Sequence, residues 1–416
     1  MPDNRAGVDE LLEHVFRHEY GKLTSTLARA FGLDRLGIVE DIVQDTLLVA
    51  LNQWSFKAVP NDPTAWLYSV ARNRALDYFR REKVAAAFAQ VAVDQSEAIT
   101  ELSHESIDSE IQDSQLQMIF ACCHPGISAE SQIAIALKTL CGFSVAEIAS
   151  AFITSEATIE KRLQRARKYF RENRVKLEAP TGVALQARIS TVLECLYLLF
   201  NEGYKRSHSD GLLEQDLCLE ALRLALIVSD HFGEAYHEAN ALVALMLFHA
   251  ARFDARTGAD GAIILLSEQD RHRWDPELRS RAFDYLARSG PEGFETHYHI
   301  EAAIQATHFL APSFAETDWP SILALYKRLY ALNPSPIVLL HMSVSVCEVF
   351  GPNEALALLD GLPLQEYYLY HALKGDMQCR AGNIPQASHS LERAIELSRN
   401  ETERALLSKK LAAWIT

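Results

Sequence analysis

The sequence of 416 residues predicts an all-α protein in three parts: two small helical domains joined by an acidic linker, then a longer helical domain. Three observations lead there. Apolar residues recur at three- and four-residue spacing almost throughout, Ala and Leu dominate, and no alternating β run of useful length occurs. Gly and Pro fall between the periodic segments rather than inside them. Val84 to Leu137 contains no Lys or Arg, and within it "DQSEAITELSHESIDSEIQD" (94–113) carries seven Asp or Glu, the composition of an acidic spacer.

The first helical block therefore spans 8–83, the linker 84–115 and the second block 116–178. "LEAPTG" (177–182) marks the next boundary by its Pro and Gly, and 183–416 forms the C-terminal helical domain. There, "YHALKGDMQCRAGNIPQASHSLERAIEL" places Gly375, Gly382, Ala387, Leu391 and Ala394 at the small and apolar positions of a helical-hairpin repeat. Ala355 in "FGPNEALALLDGL" precedes Ala387 by 32 residues, and Pro334 falls where an earlier repeat would end. Residues 183–310 match that pattern poorly.

Composition narrows function. Hydrophobic content of 49% and charged content of 23% are those of an ordinary globular protein. "MPDNRAGVDELLEHVF" shows no basic segment followed by an apolar one, and runs such as "ALVALMLFHAA" (241–251) fall short of the roughly 20 residues a bilayer span needs. A cytoplasmic protein with no membrane partner is expected. The seven Cys are scattered; Cys122, Cys123 and His124 in "FACCHPG" read as buried small side chains beside a turn. Neither a metal nor another cofactor is expected. The His clusters in "THYHIEA" and "SEQDRHRWDPE" offer no nucleophile, base and orienting group together, so no enzymatic activity is expected.

The net charge of −15 conceals two basic helices, 72–83 and 159–176; "IEKRLQRARKYFRENRVK" holds eight Lys or Arg and two Glu. An acidic chain is repelled by nucleic acid, so binding of that kind must be local. "GFSVAEIASAFITSEATIEKRLQRARKYF" (142–170) reads as a helix-turn-helix. Ser144 with Glu147 forms a capping box, Thr154 or Ser155 caps the second helix, and Ile148 and Phe152 face inward. Ile159, Leu163, Ala166 and Phe170 form the buried stripe of that second helix. Glu156, Glu160, Lys161, Gln164, Arg165, Lys168 and Arg171 face outward, where the leading residues meet base edges and later cations meet phosphates.

In the first block, "IVEDIVQDTLLVALNQW" (38–54) buries Val39, Val43, Leu47 and Ala50 and leaves Asp41, Gln44 and Asp45 outside, a surface suited to a protein partner. "PNDPTAWLYSVARNRALDYFRRE" (60–82) interleaves Trp66, Tyr68, Tyr78 and Phe79 with Arg72, Arg74, Arg80 and Arg81. Such a run suits a groove that tracks a phosphate backbone and stacks unpaired bases.

On these residues the sequence resembles the bacterial sigma-70 superfamily in its extracytoplasmic-function (ECF) group. "EDIVQDTLLVAL" resembles region 2.2, "AWLYSVARNRALDYFRRE" regions 2.3 and 2.4, and "FSVAEIASAFITSEATIEKRLQRARKYF" region 4. The part after 180, with "LYLLFNEGY" and "SEQDRHRWD", is similar to the subgroup bearing a C-terminal tetratricopeptide-like domain. The resemblance implies an alternative sigma factor whose partners are core RNA polymerase and promoter DNA. It implies that Asp41, Gln44 and Asp45 meet the β′ clamp helices, and that the second block also rests on the β-flap. Lys57, Asn61, Trp66, Arg72, Asn73, Arg74, Asp77, Arg80 and Arg81 would hold the −10 element, with the loop from Lys57 to Pro63 and Asn73 forming a pocket for a flipped base. Ser155, Glu156, Thr158, Glu160, Lys161, Gln164, Arg165 and Lys168 would read the −35 element. The acidic linker would cross the polymerase channel, and the C-terminal domain would contact either the sigma core or the polymerase. A helix-turn-helix regulator would need only the second block, and a helical-repeat scaffold only the C-terminal domain.

Overall fold

The computed structural model describes residues 19–54, 59–86, 104–152, 154–206, 212–258, 261–290, 295–398 and 401–415. Among them every regular element is helical, as the periodicity predicts; the β contact present is an isolated bridge between Thr257 and Ile263. The chain divides into two compact units, Met1–Leu198 and Leu199–Thr416.

The first unit opens with a helix over 19–31 (α1), then α2 (Leu36–Trp54) and α3 (Pro63–Ala86). Gly32, at φ 97°, turns the chain between α1 and α2, a backbone conformation that suits a residue without Cβ. Leu67, Ala71, Ala75 and Phe79, one every fourth residue, bury one face of α3. The unit continues with α4 (His104–Cys122), α5 (Ala129–Leu140), α6 (Val145–Ala151) and α7 (Glu156–Glu172). Cys122 and Cys123 are buried at the end of α4, where the sequence places them.

Two expected boundaries move. Regular structure enters 84–115 from both ends, because α3 runs to Ala86 and α4 begins at His104; residues 87–103 lie outside the described residues. Ile111 and Leu116 anchor α4 in the core, an apolar signal that the surrounding Asp and Glu mask. The second shift is at "LEAPTG". A long helix, α8 (Gly182–Arg206), starts there, and its first half belongs to the first unit, where Ile189, Val192, Leu193, Cys195 and Leu196 are buried. Arg188 donates to the Phe120 carbonyl and lies 5.8 Å above that ring. By length and a mean hydropathy of 1.5, Gly182–Tyr204 is also long and apolar enough to cross a membrane, contrary to the run-length reading. Arg188 and Glu194 break its apolar run in sequence, and Ile189, Val192, Leu193, Leu196 and Leu199 pack inside the protein, whereas Val183 is exposed.

In the second unit, α9 (Leu212–Phe232), α12 (Pro276–Arg288) and α13 (His297–Leu310) surround α10 (His237–Ala250), which is buried on nearly every side. A helix so enclosed is a core rod rather than half of a repeat, which explains the poor match before 310. The short α11 (Phe253–Arg256) follows α10. From α14 (Trp319–Leu332) onward each helix packs on the next: α15 (Pro336–Phe350), α16 (Pro352–Leu359), α17 (Tyr368–Arg380), α18 (Ile384–Leu397) and α19 (Glu401–Ile415). The 32-residue offset holds through this stack, since Ser343 and Gly375, Ala355 and Ala387, and Leu359 and Leu391 are buried pairs. Gly375 lets α17 and α18 touch; a Cβ there would stand 3.2 Å from the Ala387 carbonyl oxygen.

Burial, with Arg252 and Arg271 beside it, pushes His308 down to about 3. An unfolded His titrates near ~6.5, so acid below that value protonates the unfolded chain first. The stability this neutral His contributes is present above about pH 6.5 and is lost as pH falls toward its folded value. His308→Gln should flatten the fall of the melting temperature between pH 6.5 and 4.5 relative to the parent. Chain length offers a second check. Ending the chain after Ala179 removes the α8 face from the first unit, at about 1.5–3 kcal/mol for each large side chain lost. That fragment should melt at least ~5 °C below one ended after Arg206, followed by circular dichroism.

Candidate nucleic-acid and polymerase interface

The helix-turn-helix forms as its caps dictate. Ser144 Oγ accepts from the Glu147 N–H at 3.1 Å, and Glu147 Oε2 accepts from the Ser144 N–H at 2.7 Å. Ser155 caps α7 by accepting from the Thr158 N–H at 3.3 Å, and the two hydroxyls lie 2.9 Å apart. Ser155 and Thr158 thus shape the start of the helix. Ile148 and Ala149 of α6 and Ile159, Leu163, Ala166 and Phe170 of α7 are buried together. Phe152, expected inside, is only half-buried because it ends α6 and falls outside its repeat. Ile153, the position between α6 and the α7 cap that often carries Gly in such a motif, lies outside the described residues.

With that stripe inward, Ser155, Glu156, Glu160, Lys161, Gln164, Arg165 and Lys168 are exposed on one face of α7, and Thr158 is half-buried at its edge. The acidic residues cluster at the helix start and the cations follow, the order that suits base edges first and phosphates later.

On α3, Asp62 accepts from the Ala65 N–H at 2.9 Å and starts the helix. Asn73, Asp77, Arg80 and Arg81 are exposed; Trp66, Arg72 and Arg74 are half-buried; Asn61 is exposed just before the helix. Lys57 lies outside the described residues. The aromatic rings divide. Phe79 is core, stacked on Phe31 at 4.5 Å with Arg35 4.9 Å from its centre. Trp66 tilts against the buried Trp54 at 5.4 Å, and Tyr78 is 45% exposed. Phe79 is therefore unavailable to stack on a base, because it falls on the buried period of α3.

On α2, Val39, Val43, Thr46 and Ala50 are buried, and Leu47 only half-buried. Asp41, Gln44 and Asp45 are exposed on the outer face, and Arg74 of α3 approaches Asp45 at 3.5 Å. Leu48 continues that face and is 56% exposed. The sequence reading passed over it, although a second Leu beside Leu47 cannot share the same inward face.

Glu40, next to Asp41, points the other way and is 3% exposed. Thr139 Oγ1 of α5 donates to its Oε1 at 3.0 Å, and Arg167 of α7 pairs with its Oε2. Burial pushes the Glu40 carboxyl up from its ordinary value, and Arg167, Lys138 and Thr139 offset part of that. Arg167 belongs to neither face predicted for α7; its position between stripe and DNA face was the available signal.

Comparison with known proteins decides what these faces belong to. Residues 16–84 match the family model of sigma-70 region 2, and residues 117–169 that of sigma-70 region 4. The ECF RNA polymerase sigma factor SigL of Mycobacterium tuberculosis is 31% identical over 166 residues, spanning 39% of this chain and 83% of that protein. The chain belongs to the ECF sigma factors of the sigma-70 family. As an alternative sigma factor it acts with core RNA polymerase on promoter DNA, and the family implies work in the cytoplasm. Sigma factor families are typically non-enzymatic. Residues 188–290 match a family of unknown function, so this sigma factor carries an extension. An uncharacterized protein of Rhizobium meliloti is 34% identical over 380 residues, 90% of each chain, and thus shares sigma regions and extension together. No solved structure matches the chain.

Replacing the α7 cap tests how far this face depends on local structure. Ser155→Ala should lower stability by about 1 kcal/mol in urea denaturation, with the start of α7 losing amide protection first.

Proposed function

We propose that three exposed faces of the first unit divide promoter recognition between them. The observation that carries this is their chemistry: a basic face on α7, an Arg- and Asn-bearing face on α3, and an acidic and apolar face on α2. Glu156, Lys161, Gln164 and Arg165 read base edges of the −35 element, Ser155, Thr158 and Glu160 border them, and Lys168 meets phosphate. The same block rests on the β-flap. Asp41, Gln44, Asp45 and Leu48 dock on the β′ clamp helices, the leucine filling an apolar contact and the acids setting register and association rate.

Arg72, Arg74, Arg80 and Arg81 hold the backbone of the −10 duplex and its melted strand, with Trp66 and Asp77 alongside. Asn61, Asn73 and the loop from Lys57 receive an extruded base. Opening then proceeds without bond chemistry in this chain. Contacts available only to an unpaired base offset an unstacking cost of a few kcal/mol. The acidic stretch before α4 follows a channel built for nucleic acid, where Lys or Arg would be misplaced. The second unit modulates this core through the surface of its stacked hairpins, which suits a protein partner.

Run-off transcription with purified core polymerase and a pool of promoter fragments tests the reading. Start sites should appear only when the protein is added. Asn73→Ala should change −10 selectivity while core binding stays intact, whereas Leu48→Asp should weaken core binding at least tenfold. A parallel loss of core binding in Asn73→Ala would sink the role given to that residue.

A further inference from the structure

We propose that the second unit of this sigma factor carries a receptor site for a phosphate group, free or borne by a small metabolite, with Arg252 at its centre. The site lies where the end of α10, the segment 269–274 and α13 meet. It draws on the Arg and Trp of "SEQDRHRWD", a stretch that takes no part in promoter reading.

Arg252, just beyond α10, is only 7% exposed. Its Nε–H donates to Gln269 Oε1 at 3.2 Å and an Nη1–H to Gln305 Oε1 at 3.1 Å, and it makes no ion pair among the described residues. Both acceptors are neutral amides, which satisfy donors without cancelling charge. Arg271 stands close by: the two guanidiniums share Trp274, at 5.5 Å and 4.9 Å from its ring centre. Arg271 caps the end of α13 through the His308 and Ala311 carbonyls and reaches the Thr317 hydroxyl at 3.2 Å. Glu316, the acid that acts on Arg271, accepts instead from the Ser313 hydroxyl at 2.7 Å. The charged groups that act on His308, Arg252 and Arg271, are both cations.

Burying a guanidinium without a carboxylate beside it is costly, and an arginine serving packing alone is ordinarily paired. The end of α10 and the face of Trp274 offset part of that cost, but each offers only partial negative charge. A second observation points to a ligand. Trp274 is 6% exposed, and its Nε1–H has no acceptor among the described residues; His308 Nδ1 has no partner there either. Donors thus exceed acceptors in one buried place, a balance that an oxyanion reverses. Phosphate suits it better than carboxylate. It brings about two negative charges to two guanidiniums, and its tetrahedral oxygens accept from several directions at once. Gln269, Arg271 and Gln305 are half-buried and form the approach from solvent.

A ligand here would tie α10, the 269–274 segment and α13 together, and so stabilise the folded unit by mass action. Because α13 packs on α14, occupancy also bears on the stacked hairpins that follow. That last step rests on the modulating role given to the hairpins; binding itself does not.

The test uses the full-length chain with isotope-labelled tryptophan, its indole N–H signals followed by NMR and the Trp274 signal assigned with Trp274→Phe. Inorganic phosphate is titrated against chloride of matched ionic strength. The Trp274 signal should shift saturably, and the melting temperature should rise with phosphate. Arg252→Gln should weaken binding about tenfold or more, and Arg252→Lys, which keeps the charge but loses the planar fork, several-fold. Gln305→Glu supplies Arg252 with a carboxylate of the protein's own. That variant should melt above the parent in chloride and lose its response to phosphate. Glycerol phosphate acting at lower concentration than inorganic phosphate assigns the site to a metabolite, and equal action assigns it to free phosphate. A Trp274 signal that neither probe moves overturns the proposal, as does an undiminished shift in folded Arg252→Gln. An equal response to acetate overturns the choice of phosphate. Circular dichroism identifies a variant that fails to fold, leaving Gln305→Glu to decide. None of these readings involves transcription, so their failure would leave the promoter-binding roles untouched.

Discussion

A carboxylate enclosed between two DNA-binding blocks organises the first unit. Glu40 reaches inward from α2, accepts from Thr139 of α5 and pairs with Arg167 of α7, so three helices from separate stretches of chain meet at one group. Its surroundings decide what the rest of α2 can do. With Val39, Val43, Thr46 and Ala50 turned to the core, Asp41, Gln44, Asp45 and Leu48 have nowhere to go but outward. The faces of α7 follow from the same packing, since burying Ile159, Leu163, Ala166 and Phe170 directs Lys161, Gln164, Arg165 and Lys168 away from the protein. Recognition surfaces are thus the complement of the core.

Charge distribution explains how a protein of net charge −15 works on DNA. At a screening length of about 8 Å in physiological salt, a phosphate responds to the helix nearest it rather than to the whole molecule. Concentrating cations on α7 and the end of α3 supplies local attraction, while the acidic remainder discourages non-specific association along the duplex. In the proposed function, the acids of α2 meet a protein surface instead of DNA.

The second unit shows how charged groups can be structural. Arg256 donates to the Tyr204 carbonyl near the end of α8 at 3.2 Å, and Arg271 donates to the Ala311 carbonyl beyond α13 at 2.6 Å and also reaches that of His308. Helix C-termini leave carbonyls unsatisfied and carry partial negative charge, so arginine meets both needs. Arg252 spans Gln269 and Gln305 beside Trp274. Within "SEQDRHRWDPE", which in sequence resembles a reactive cluster, Arg271 and Trp274 instead hold the end of α13, Arg271 through the His308 and Ala311 carbonyls and Trp274 against Phe309.

Much of this was legible in the residues themselves. The periods of α2, α3 and α7, the capping pair Ser144 and Glu147, the cap at Ser155 and the spacing of Ala355 and Ala387 are local signals. A helix enforces them within one or two turns, so sequence alone determined which side chains share a face and where the recognition helix begins. Other features needed the folded chain. That Phe79 stacks on Phe31 and leaves the nucleic-acid face, that Leu48 stays outside, that α8 gives its first half to the sigma core, and that Glu40 is buried against Arg167 were decided by tertiary structure. Each depends on which of several amphipathic surfaces meet, a choice set by burial and hydrogen bonding between residues up to 127 positions apart, and spacing along one helix carries no record of that choice.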